Sequence, residues 1–156
     1  MKIGFTGTQI GMTDEQKQVF RSMMLSYIFN QGSPHKIEFH HGDCIGADDQ
    51  AHEIVKELDC KIIIHPSNNE IKRAWNTGTY VNVPLPPLKR NRHIVNETQF
   101  IIATPKEDHE ELRSGTWATI RYATSKHRVV WMVWPDGKVT ETKPGYTSKK
   151  FLETVC

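Results

Sequence analysis

Apolar residues along the chain switch between strand-like and helix-like spacing, and each switch marks an element. Lys2-Ile3-Gly4-Phe5-Thr6 reads as a first strand running into the turn Gly7-Thr8-Gln9-Ile10-Gly11. Thr13 then stands as an N-cap with Gln16 three residues on, and Val19, Phe20, Met23, Met24, Tyr27 and Ile28 repeat at helical spacing. Gln31-Gly32-Ser33-Pro34 ends that helix. Lys36-Ile37-Glu38-Phe39 is short and half apolar, the second strand. Past His40-His41-Gly42-Asp43-Cys44-Ile45-Gly46, the residues Ala47, Ala51, Ile54, Val55 and Leu58 recur every three or four positions, one face of a second helix. Cys60-Lys61-Ile62-Ile63-Ile64 is a third strand, continuously apolar as in a parallel sheet covered on both faces.

The rhythm breaks between residues 66 and 88. Pro66-Ser67-Asn68-Asn69, Gly78, Pro84, Pro86 and Pro87 describe a long loop holding at most a short helix near Ile71 to Trp75. Regular pattern returns with a helix from Leu88 to Glu97 and a fourth strand, Phe100-Ile101-Ile102-Ala103. A charged loop from Thr104 to Arg113 follows, and Ser114-Gly115-Thr116 opens a helix through Ala118, Ile120, Arg121, Tyr122 and Ala123. Val129 to Trp134 is a fifth strand, Pro135-Asp136-Gly137 a turn, and Lys138 to Thr142 an antiparallel return. Ser148 to Val155 close the chain as a short helix. Strands alternating with helices predict a three-layer α/β sandwich, its sheet mainly parallel with an antiparallel C-terminal edge strand. A single domain over residues 1–156 is expected, with its core at about 1–134 and a C-terminal hairpin and helix over 135–156.

Composition narrows the partners more than the fold. A formal charge of +2 on 156 residues lacks the basic stripe or arm of a nucleic-acid binder, so a nucleic-acid partner is unexpected. Cys44, Cys60 and Cys156 have no framework spacing, which predicts reduced thiols and a cytoplasmic protein. No apolar run approaches a membrane span, and the N-terminus carries no signal-peptide pattern.

The strand–glycine–helix junctions carry the candidate chemistry. In a parallel α/β sheet, ligands sit outside the carboxyl ends of the strands. Gly7/Gly11, Gly42/Gly46 and Gly115 all fall on that edge. Glycine lets the backbone approach a ligand closely, and a helix start offers unpaired N–H groups and a positive dipole end. An anion site is therefore expected from Gly7, Thr8, Gly42, Gly46, Ser114, Gly115 and Thr116. A tight turn that merely packs is the competing reading at any one junction.

These residues resemble a known group. Gly7-Thr8-Gln9 after strand one, His41-Gly42-Asp43-Cys44-Ile45-Gly46-Ala47-Asp48 after strand two, and Arg90-Asn91 with Ile94-Val95 before strand four are similar to the SLOG superfamily. That Rossmann-like nucleotide-binding group includes the LOG phosphoribohydrolases and the DprA/Smf proteins. Ser114-Gly115-Thr116-Trp117 stands where the LOG enzymes carry a glycine-rich phosphate turn. The resemblance covers about residues 1–134 and implies a Rossmann-like sandwich holding a nucleotide or nucleotide-derived ligand, its phosphate near the Gly-Thr turn. Nucleotide-binding roles are implied for Gly7, Thr8, Gln9, Gly42, Asp43, Gly46, Ala47, Asp48, Arg90, Asn91, Arg113, Ser114, Gly115, Thr116 and Trp117.

The departures concern activity. LOG enzymes place a catalytic glutamate three residues after the Thr of their Gly-Thr pair. Here Thr119 occupies that position and offers no general base at neutral pH. The double glycine before that motif is also replaced, by Leu112-Arg113-Ser114. The first turn is no Gly-x-Gly-x-x-Gly fingerprint, which argues against a dinucleotide dehydrogenase. Binding by a sensor or sequestering protein therefore leads. The alternative is an N-glycosidic hydrolase or transferase on nucleoside monophosphates, with Asp48, Glu97 or Asp43 as its acid/base candidates.

Single side chains keep two readings open. Arg90, Arg92 and Arg113 either clamp phosphate or are solvated, and Asp43 and Asp48 either hold ribose hydroxyls or complement a helix dipole. Trp75 and Trp117 either stack on a base or fill core, and Glu107 to Glu111 form a candidate lid. His40, His41, Cys44 and His65 match no zinc spacing, and neighbours on a strand point to opposite faces, so no metal is expected. No resident cofactor is expected either, and a homo-oligomer is left open.

Overall fold

The computed structural model describes residues 1–142, so the expected helix from Ser148 to Val155, and Cys156, lie outside the described residues. The strands are β1 (Lys2–Gly7), β2 (Glu38–His41), β3 (Lys61–Ile64), β4 (Tyr80–Val81), β5 (Phe100–Thr104), β6 (Val129–Val133) and β7 (Val139–Thr142). The helices are α1 (Asp14–Gln31), α2 (Ala47–Glu57), α3 (Pro87–Glu97) and α4 (Gly115–Ser125). One sheet takes the order β4-β3-β2-β1-β5-β6-β7, parallel throughout except for the antiparallel β6–β7 edge.

Local signals place the first helix. The Thr13 hydroxyl accepts the Gln16 amide while the Gln16 side chain accepts the Thr13 amide, a closed capping box. Gln16 continues inward, donating to the carbonyls of Pro105 and Val133, and so pins the start of α1 to the loops after β5 and β6. At the other end, Gly32 takes the left-handed conformation and donates back to Ile28 and Phe29.

Two cores sandwich the sheet. Phe5, Phe20 and Phe39 meet with ring centroids 5.3–5.7 Å apart on the α1/α2 face, joined by Ala51, Val55, Ile62 and Ile64. On the α3/α4 face, Ile94, Val95, Ile101, Trp117, Ile120 and Met132 pack together. Alternation along β5 feeds both, with Ile102 in the first cluster and Ile101 and Ala103 in the second.

Two expectations need correction. The second strand starts at Glu38 and runs through His41, because Pro34–Lys36 form a 3-10 turn and the backbones of His40 and His41 pair with Ile63 and Ile64. The segment 66–88 is not structureless beyond a short helix: a 3-10 turn covers Glu70–Lys72, and Tyr80–Val81 add a parallel strand to β3. Trp117, for which the sequence leaves core and base-stacking readings both open, is 1% exposed, with its ring 6.1 Å from that of Trp134.

Chain direction reverses sides at β1. The chain leaves β1 for β2 on one side, and later enters β5 on the other. A crevice at the carboxyl ends of β1 and β5 follows from that switch.

Candidate functional site

A cleft of about 470 Å³ opens at that switch point. Gly7, Thr8 and Gln9 after β1 form one wall, and Ser114, Gly115, Thr116 and Trp117 at the start of α4 form another. Gly42 and Asp48 line it from the β2–α2 side, Arg90 and Asn91 from α3, and Arg113 from the charged loop. The structure thus brings together most of the residues singled out in the sequence. It also adds Cys44, Ser67, Asn69, Lys72, Lys106 and Glu111, and an apolar rim of Ile10, Pro87 and Leu88. Among the described residues, Lys72, Arg90, Lys106 and Arg113 share the cleft with two carboxylates, Asp48 and Glu111, so the cleft favours an anion.

Four sequence candidates stand outside it. Gly46 and Ala47 form the junction beneath the cleft, where the Ala47 amide donates to Thr8 O at 2.9 Å. Asp43 is fully buried and holds a loop: its carboxylate accepts from Arg73 Nε at 3.1 Å and from the Asn76 amide at 3.0 Å. Glu97 sits at the far end of α3 beside His40 and His65. Two weaker candidates are engaged elsewhere, Arg92 over the Tyr122 ring at 5.4 Å and Trp75 beneath the Arg73 guanidinium at 4.0 Å.

The start of α4 is the open end of the site. Ser114 Oγ accepts the Trp117 amide at 3.3 Å, capping one of the orphan donors. No helix carbonyl can reach the Gly115 and Thr116 amides, which belong to the first turn. A Cβ on Gly115 would meet nothing within 4 Å, so the space beside these amides belongs to the cleft. The first turn of α4 contains no acidic residue to complement the dipole.

Arg90 organises the opposite wall. It is 7% exposed, donating from Nη1 to Gly42 O and His65 O and from Nε to Asn91 Oδ1 at 2.8 Å. Its Nη2 meets only a sulfur, Cys44 Sγ at 3.5 Å. A Cβ on Gly42 would strike this guanidinium, so that glycine makes room for Arg90. Burial pushes the Asp48 carboxyl up to about 6 against the pull of Arg90, and pushes the Cys44 thiol up as well. Cys44 therefore stays a thiol at neutral pH. Thr119 is buried in α4, its hydroxyl donating to Gly115 O at 3.0 Å.

No protein-family model matches the chain, and no curated protein does. Similar solved structures include the following two. TM1055, a structural-genomics target studied by X-ray, has a TM-score of 0.56 at 12% identity over 81% of this chain and 70% of its own. The molybdenum cofactor binding protein of the phototrophic bacterium Rippkaea orientalis has a TM-score of 0.63 at 17% identity over 85% of this chain and 76% of its own. The fold is Rossmann-like. At such identities the likeness is one of architecture alone.

The charged loop and the segment 66–76 supplied the lining residues that sequence reasoning missed. Glu110 is held by Arg121 Nη1 at 2.8 Å, and Lys106 pairs with Glu111 at 3.6 Å, so the loop from Thr104 is tied to α4 and carries Lys106 and Arg113 to the cleft. Asp43 does the same for Lys72, through the ties to Arg73, Ala74 and Asn76. A lysine among polar loop residues gives no local sign of that placement.

Proposed function

We propose that this protein binds a nucleotide or nucleotide-derived small molecule in the switch-point cleft, with a phosphate on the start of α4. The observation that carries this reading is the open first turn at Gly115: amides without helical acceptors, no acidic residue, and free space beside them. Four cationic side chains around the cleft suit a phosphorylated ligand, and Ile10, Pro87 and Leu88 offer apolar surface to a base. The resemblance of Gly7-Thr8-Gln9, His41 to Asp48, Arg90-Asn91 and Ser114 to Trp117 to the SLOG superfamily supports a nucleotide. The similar protein from Rippkaea orientalis is named as a cofactor binding protein, which supports binding as a task for this fold.

Binding is favoured over N-glycosidic chemistry because two of the three candidate carboxylates are committed elsewhere and the Thr119 position offers no base. Asp43 clamps a buried loop and Glu97 stands among histidines, leaving Asp48 as the carboxyl on the cleft from the three candidates. Thr119 bonds its own helix. Calorimetric titration with a panel of nucleoside mono-, di- and triphosphates, and chromatography for free base on the same mixtures, tests the reading. Saturable binding without base release is expected. No binding by any phosphorylated nucleotide overturns it, and multiple turnovers of base release make the protein a hydrolase.

A further inference from the structure

The strand β2 sends consecutive side chains to opposite faces of the sheet, and the two histidines there meet different partners. His41 Nε2 pairs with His52 Nδ1 at 2.9 Å on the α2 side, while its Nδ1 accepts the Asp43 amide. His40, on the α3 side, meets His65 just past the end of β3, with His40 Nδ1 2.8 Å from His65 Nε2. Glu97, the last residue of α3, brings Oε2 to 3.5 Å from His65 Nε2 and 3.8 Å from His40 Nδ1.

We propose that His40 Nδ1, His65 Nε2 and Glu97 Oε2 form a binding site for a divalent transition metal of the zinc type, with water or His93 in the fourth position. The three donor atoms come from two strands' ends and a helix, and they lie within 4.8 Å of one another. Donors about 2.0–2.1 Å from a tetrahedral zinc ion stand about 3.3–3.4 Å apart, close to the observed triangle. Two imidazoles and one carboxylate make a donor set that zinc, a borderline ion, takes. The contact behind His40 also fits. Glu38 Oε1 accepts from His40 Nε2 at 3.3 Å, which fixes the proton there and leaves the Nδ1 lone pair for an ion. On binding, the proton of His65 moves to Nδ1, and the Asn82 amide, which donates 3.4 Å away, turns to its other acceptor, Ile64 O. Both histidines are 2% exposed, and burial lowers the basicity of both rings. The Glu97 side chain is 44% exposed, giving the ion a way in, and His93 lies one helical turn before it, its ring 6.5 Å from that of His65.

This site is separate from the nucleotide cleft, whose lining includes none of His40, His65 or Glu97. An ion here would tie the end of α3 to β2 and β3. The test titrates zinc chloride into chelator-treated full-length protein by calorimetry, then repeats the titration with cobalt(II) while recording the visible spectrum. One ion per chain is expected, with tetrahedral cobalt bands, no thiolate charge-transfer band, and a melting temperature that rises with zinc. Glu97→Gln, on a half-exposed side chain, should stay folded and bind at least about tenfold more weakly. His65→Ala should abolish binding, and Cys44→Ser should leave it unchanged. Absence of saturable zinc binding overturns the assignment, as does unchanged affinity in Glu97→Gln or loss of binding in Cys44→Ser.

Discussion

Helices α2 and α4 both begin at a glycine-bearing turn on the carboxyl edge of the sheet, and their first turns are completed in different ways. At α2, the Ala47 amide is taken by Thr8 O, Asp48 and Asp49 supply negative charge, and Asp48 Oδ2 accepts the Cys44 amide at 3.1 Å. The chain itself supplies what an anion would supply. At α4, no acidic residue stands in the first turn, and the position of a Gly115 Cβ is open. The two glycines therefore serve different ends. Gly46 has φ +93°, and a Cβ there would run into the Gln9 carbonyl and lie 2.7 Å from Thr8 O, so it is a packing glycine. Gly115 has neither constraint. A glycine at a helix start indicates an anion site only where the protein leaves that start unfilled.

The sharpest way to break this contrast is to add a side chain at each turn. Gly46→Val should cost about 3–5 kcal/mol of stability, from backbone strain and overpacking together, read as a shift of the denaturation midpoint. A loss under 1 kcal/mol would show that the α2 turn has room, and the two junctions would be alike. Gly115→Val should melt within a few degrees of the parent yet bind phosphorylated nucleotides roughly a hundredfold more weakly, about 2.7 kcal/mol. Unchanged affinity in that folded variant would move the phosphate away from α4.

The pH dependence of α2's own carboxyl sharpens the comparison further. Burial raises Asp48 to about 6 in the folded protein, above its unfolded value, so the folded state holds the proton more tightly. Stability from this group is fully present below the unfolded value near 4 and is lost as pH rises through about 6. Asp48→Asn removes that loss, and its stability relative to the parent should rise by about 2 kcal/mol between pH 4 and pH 7. A difference that stays flat across that range would place the carboxylate in contact with water. The smallest effect is expected at Ser114→Ala, about 1 kcal/mol from the lost cap of the Trp117 amide. An effect on affinity larger than that of Gly115→Val would make the Ser114 hydroxyl, rather than the backbone amides, the main phosphate contact.

Much of the architecture can be read from the sequence because its causes are local. The pair Thr13 and Gln16 closes a capping box within four residues, and Gly32 ends α1 within its own last turn. The apolar run at Ile62 to Ile64 and the antiparallel return to Thr142 follow from strand period and the Pro135-Asp136-Gly137 turn. The alternation of these elements places Gly7, Gly42 and Gly115 on one edge, which is why those residues line a common cleft.

The rest depended on contacts between distant segments. Tyr80 and Val81 are exposed and only two residues long, and they become a strand because β3 offers a free edge. His40 and His41 stand past the strand read at Lys36 to Phe39, yet both are buried in β2, where each finds another imidazole to bond. Asp43 and Asp48 stand five positions apart in one motif; one ends in a loop clamp and the other on the cleft, since only the fold decides where Arg73 and Arg90 arrive. Glu97 meets His40 and His65 across gaps of tens of residues, a juxtaposition set by how α3 crosses the sheet. Hydrogen bonds within a helical turn are fixed by sequence spacing. Burial, charge partnering and the filling of a helix start are fixed by whatever the rest of the chain brings there, and the first turn of α4 holds no carboxylate of its own.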